Sequence, residues 1–208
     1  MAPPMWLEKE KPAVQPATRA QWRSWLAEHH AAITGVWLVS YKKATGKPRI
    51  EYEEAIEEAL CFGWVDGKAN TLDEERSMLW FAPRKPRTGW SRPNKQRVAR
   101  LLAAGLMAPA GLAKVEAAQA DGSWNSLDAV EALEVPLDLA RALAAYPQAA
   151  RNFEAFPRSV KRGILEWIVQ AKRPETRVAR IAETARLADE NERANQWKGP
   201  RRPAGSSA

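Results

Sequence analysis

Between Cys61 and Lys95, five bulky aromatics (Phe62, Trp64, Trp80, Phe81 and Trp90) are interleaved with Asp66, Arg84, Lys85, Arg87, Arg92 and Lys95. Indole walls with guanidinium groups among them are the parts of a pocket for a small anionic or aromatic ligand, and we expect Trp64, Asp66, Trp80, Arg84, Trp90, Ser91, Asn94 and Lys95 to line it. Arg84 supplies a planar fork that matches a carboxylate or phosphate with two parallel bonds, which makes it the expected charge partner. Ser91, Asn94 and Lys95 follow the run Pro83-Arg-Lys-Pro-Arg87 at what reads as a helix start. Free backbone N–H groups at such a start favour an anion. Ser91 or Asn94 serves equally as an ordinary helix cap, and cap and anion site use the same terminus.

Asp66 follows Trp64 by two, so on a strand both side chains share a face, and a carboxyl desolvated beside an indole becomes a candidate general acid or base. The competing reading is a turn with Gly67 or a salt bridge to Arg84. Cys61 is a candidate nucleophile if the basic run stabilises its thiolate, and otherwise a small buried hydrophobe. His29 and His30 are adjacent, and a helix splays them by about 100°, so both cannot hold one ion without other ligands. Glu53, Glu54, Glu57 and Glu58 either recruit a hard cation or form a solvated helix face. No metal-ligand spacing is present elsewhere, and neither metal nor cofactor is expected.

The chain has 208 residues, a net charge of +7 and a single cysteine. One cysteine rules out an internal disulfide and suits a reducing compartment. The first residues carry prolines and charges where an export signal needs an apolar run, and no window approaches the ~20 apolar residues of a membrane span. A soluble, cytoplasmic protein is expected. The charge is polarised: residues 51–75 hold nine acids and one base, whereas residues 83–100 hold seven bases and no acid. Bases interleaved with Trp80, Phe81 and Trp90 also suit nucleic acid, through phosphate contacts and base stacking.

Positioning these residues requires a sheet and helices. Residues 1–17 read as a flexible lead-in with Trp6 docking. Thr18 and Gln21 have capping-box spacing ahead of a helix through Trp22, Trp25, Leu26 and Ile33. Gly35–Lys43 reads as a strand, Glu53–Leu60 as an amphipathic helix, and Gly63–Gly67 with Ser77–Ala82 as two antiparallel strands joined by a loop. Helices follow from Pro93 and from Ala110 to Ala120. The expected fold class is α+β, with a small antiparallel sheet covered by helices over 18–126 and an all-helical module over 127–190. In that module Val160, Ile164, Trp167, Ile168 and Ala171 form a stripe, and Pro174 starts a helix that pairs with it as a hairpin. Residues 191–208 have no stripe and read as a disordered tail.

Leu60-Cys-Phe-Gly-Trp-Val-Asp-Gly67, Phe81-Ala-Pro-Arg84, Trp90-Ser-Arg-Pro-Asn94, Gly105-Leu-Met-Ala-Pro-Ala-Gly111 and, further on, Phe153-Glu-Ala-Phe-Pro157 and Glu166–Ile181 resemble the bacterial YdeI/OmpD-associated (bacteriocin-protection) family, over roughly residues 18–190. The resemblance implies a role in stress or antimicrobial resistance without fixing a reaction. Three readings of the activity stand beside it: a small-ligand-binding protein, an enzyme using Asp66 in the same pocket, and a nucleic-acid-binding protein. A protein partner docked on the C-terminal helices is a further expectation.

Overall fold

The computed structural model describes residues 12–196. The chain divides into two compact units, Met1–Ser126 and Leu127–Ala208.

The first unit contains β1 (Ala13–Val14), α1 (Arg19–His29), β2 (Val36–Tyr41), a single 3-10 turn (Lys43–Thr45), α2 (Tyr52–Cys61), β3 (Trp64–Thr71), β4 (Arg76–Pro83), α3 (Arg92–Ala103) and α4 (Pro109–Ala120). The strands form one sheet in the order β1-β2-β4-β3. β1 runs parallel to β2, and the other pairs are antiparallel. The β3–β4 hairpin matches the two strands read from the sequence. β1 is an addition, because Ala13–Val14 falls in the stretch read as lead-in and is too short to leave a pattern. The Trp6 expectation lies outside the described residues.

Period-2 alternation gives the sheet two different faces. Val36, Leu38 and Phe81 turn toward the helices and join Trp22, Leu26, Ile56, Leu60 and Trp64 in the main core. Trp37, Val39 and Met78 form a second cluster, with Leu72 and Trp80 packed on it. Trp37 and Trp80 meet edge to face at 5.3 Å, a favoured aromatic geometry. Gly35 makes room for them, since a Cβ there would stand 2.1 Å from the Trp80 ring.

α1 begins at Thr18, whose Oγ1 accepts from the Gln21 amide at 3.3 Å; the Gln21 side chain returns to the Ala17 amide rather than to Thr18. The helix is fixed by Trp22, which is fully buried and donates Nε1–H to the Ala55 carbonyl on α2. Trp22 stacks on Trp25 at 5.2 Å and tilts against Phe81 at 5.4 Å. An indole buried this completely removes roughly 200 Å2 from water, worth about 5 kcal/mol before ordering costs. α2 starts with a capping box between Glu51 and Glu54. Its far end is crossed closely by α4: the Ala108 amide donates to the Cys61 carbonyl, and a Cβ at Gly111 would lie 2.2 Å from that oxygen.

The second unit contains α5 (Asp128–Glu131), α6 (Leu137–Ala144), α7 (Ala149–Ala155), α8 (Arg158–Val169) and α9 (Pro174–Asp189). Its core includes Leu139, Leu143, Phe153, Ile164, Leu165, Ile168, Ala185 and Ala188. α9 packs not only on α8, as the hairpin expectation had it, but also on α6 and α7. Asn152 of α7 donates to the Ala188 carbonyl, tying these elements together. Ala194 is buried in the same core. The tail reading therefore does not hold for the first residues after Asn191, and from residue 197 it lies outside the described residues.

Candidate functional site

Arg84 follows directly on β4. Its amide donates to the Gly63 carbonyl at 2.9 Å, which sets the side chain where the hairpin ends. The guanidinium stacks over Trp90 at 3.9 Å, and Nη2 donates to the carbonyls of Thr88 and Gly89. Arg84 is only 7% exposed, yet no carboxylate bonds to it, and its Nε–H has no hydrogen-bond partner. Burial disfavours the charged form and pulls the Arg84 pKa down to about 10, with the more distant Asp66 charge opposing the shift. The loop that closes over this group, residues 85–89, carries exposed Lys85 and Arg87, and Arg87 adopts a left-handed φ of 58°.

Trp90 is buried at 2% exposure and packs on Trp124 at 4.9 Å. Lys95 lies over Trp124 at 5.4 Å and donates to Asn125. Ser91 occupies the N-cap position of α3, but its side chain makes no cap hydrogen bond. Asn94 Oδ1 accepts from Arg97 at 2.8 Å. Arg84, Trp90, Lys95 and the α3 start thus form one neighbourhood, linked by ring and cation contacts. The other three expected pocket residues go elsewhere. Trp64 is a core residue, 1% exposed, edge to face with Trp25 and donating to the His30 carbonyl. Asp66 shares the Trp64 face of β3, as its spacing implied, and accepts from the Tyr52 hydroxyl at 3.2 Å. The Tyr52 hydroxyl is pushed above its usual pKa by burial first and by the Asp66 charge second. Trp80 sits in the cluster on the opposite face of the sheet.

Most other chemistry-bearing residues are engaged in architecture. Cys61 is fully buried, and burial together with the Glu58 charge raises its thiol pKa, the opposite of what a nucleophile needs. The His29 ring stacks on Trp25, and the Nδ1 atoms of His29 and His30 each meet a carbonyl of their own helix. The acidic face of α2 is matched by arginines: Glu53 with Arg97, Glu57 with Arg19 and Arg100, and Glu58 with Arg19 and Arg23. Glu54 is used in the capping box. Among the described residues no three His, Cys, Asp or Glu side chains come together as a metal site, and no helix is long and apolar enough to cross a membrane. Pairing of Arg97 and Arg100 also removes two bases from the stretch that suited nucleic acid.

Sequence reasoning missed a cavity of about 190 Å3 on the helix-facing side of the sheet, lined in part by Leu38, Ser40, Arg49, Ile50, Tyr52 and Leu79. Its walls come from separate segments, and only the Ser40/Ser77 pairing across β2 and β4 brings two hydroxyls to one place.

Residues 132–191 match the family model described as bacteriocin-protection, YdeI or OmpD-associated. Over those residues the helical second unit is similar to the YdeI/OmpD-associated module. The motifs Phe153–Pro157 and Glu166–Ile181 fall inside this YdeI/OmpD-associated match. The motifs quoted from the first unit fall instead within a match over residues 14–114 to a domain of unknown function, DUF8412. No curated protein and no solved structure matches the chain.

Proposed function

We propose that the first unit binds a small anion or an anion-bearing aromatic ligand at Arg84, with Trp90 as the wall and residues 85–89 as the cover, and that this binding serves a protective role against antimicrobial compounds. The observation that carries the reading is a guanidinium buried at 7% exposure with no carboxylate bonded to it and Nε–H unpartnered. Removing a charge from water costs several kcal/mol unless a counter-charge restores it, so an incoming anion gains from a group already desolvated and held in place. The protective role rests on the family description of residues 132–191 alone.

The test is a thermal-shift screen against phosphate, nucleotides and aromatic carboxylates with the native protein, Arg84→Lys and Arg84→Met. A ligand at 100 times its Kd should add about 2.7 kcal/mol to the native protein and nothing to Arg84→Met. If no ligand shifts the native protein while Arg84→Met melts lower, Arg84 is an anchor for the loop and the binding reading is lost.

A further inference from the structure

The cavity beside α2 lies apart from the Arg84–Trp90 neighbourhood and shares no lining residue with it. Leu38 and Leu79, neighbours across β2 and β4, form its apolar floor, and Ile50 and Ala55 close one side. Two residues along the same strands, Ser40 and Ser77 are also direct partners, so two hydroxyls stand at one end. Arg49 and Tyr52 also line the cavity, and the Tyr52 hydroxyl reaches to Asp66, at the Phe81 level of the sheet and away from the serines. An apolar body with a few convergent polar groups is the usual composition of a small-molecule site.

Size and charge narrow the occupant. Drug-sized ligand pockets begin near ~300 Å3, whereas an apolar cavity of ~150 Å3 accepts a benzene ring. At about 190 Å3 the space suits one ring or a short chain with a single head group. Arg49 Nη2 is paired with Glu51 at 2.7 Å, but the Glu51 side chain is 61% exposed. Glu51 stays held in the capping box of α2, but an ion pair that exposed contributes little, so a competing carboxylate can share the guanidinium. The Tyr52 hydroxyl already donates its proton to Asp66, so the donors that remain for a head group are Arg49 and the two serines.

We infer that this cavity is a second ligand site, taking a monocyclic aromatic or short aliphatic carboxylic acid with its ring or chain on Leu38, Ile50 and Leu79 and its carboxylate at Arg49, Ser40 and Ser77. The site is independent of the reading proposed for Arg84, and the two can fail separately.

The test titrates the native protein, labelled for two-dimensional NMR, with benzoate and hexanoate and, as neutral counterparts, benzamide and hexanamide. Saturable shifts are expected at the Leu38, Ile50 and Leu79 methyl groups with the acids. Arg49→Gln should weaken benzoate binding by about tenfold, the loss expected for one charge-assisted bond, and leave benzamide unchanged. Ala69→Leu fills the rim from an exposed strand position and should abolish binding while the melting temperature holds. In Arg84→Met the benzoate shifts at Leu38, Ile50 and Leu79 should persist unchanged, whatever happens at Trp90. Absence of saturable shifts in the native protein overturns the proposal, as do shifts confined to Trp90 and Trp124. Equal loss of benzoate and benzamide in Arg49→Gln overturns the carboxylate assignment.

Discussion

Two buried charges in the first unit are treated in opposite ways. Glu58 on α2 is 2% exposed and receives Arg19 Nε at 2.5 Å and Arg23 Nη1 at 2.6 Å, so its charge is met twice over. Arg84 is 7% exposed and receives only two carbonyl oxygens and an indole face. The two arginines at Glu58 have raised pKa values, whereas burial outweighs everything else at Arg84 and lowers its value. Burial alone therefore does not mark a site. A buried ion with its counter-charges is part of the frame, and a buried ion without one holds energy that only a ligand or a change of protonation releases.

The largest expected effect comes from emptying the matched centre. Glu58→Gln leaves Arg19 and Arg23 facing a neutral amide between α1 and α2, and should cost about 3 kcal/mol in urea unfolding, somewhat moderated because both arginines reach water. Next is Arg84→Met, which keeps volume near Trp90 and removes the unmatched charge. It should be neutral to stabilising by about 2 kcal/mol at pH 7, the sign opposite to Glu58→Gln.

The pH dependence of that gap sharpens the contrast. Arg84 has a folded pKa of about 10, well below that of an ordinary arginine, so above that pH the unfolded chain holds the extra proton and folding gains as pH rises. The advantage of Arg84→Met over the native protein should shrink between pH 9 and 12 in paired melts, by an amount on the order of 3 kcal/mol at most. An advantage that stays constant over that range would place the proton elsewhere.

The smallest effect belongs to the exposed pairs. Arg97→Ala removes its bond to Glu53, which is 60% exposed, and should cost about 0.5 kcal/mol, most of it lost in 1 M salt. A cost as large as that of Glu58→Gln would mean that solvent exposure does not separate the two kinds of pair.

Elements with a strong local pattern were legible in the sequence. The Thr18 cap, the amphipathic α2, the β3–β4 hairpin and the Ile164–Ile168 stripe each follow from period or capping chemistry that needs no distant partner. The candidate site was legible in part: Arg84, Trp90, Lys95 and the α3 start come together, while Trp64 joins the core and Trp80 the opposite sheet face. Strand pairing decides which face an aromatic takes, and that choice is written in no single segment. The same limit hid the cavity and the pairing of the acidic block with Arg19, Arg23, Arg97 and Arg100, since opposite charges in sequence say nothing about which helices cross. β1 and α5 escaped because two and four residues are too short for a period to show.

Cys61, fully buried where α4 crosses the end of α2, is the single thiol of the chain. A thiol-specific reagent cannot reach it without an opening of the first unit, and the second unit offers the reagent no target at all. Labelling rates in the native state thus read the opening free energy of one half of the molecule in isolation, as amide exchange does for a single residue. The same slow chemistry, followed with and without benzoate or phosphate, would register occupancy of either proposed site as protection of a sulfur atom that touches neither ligand.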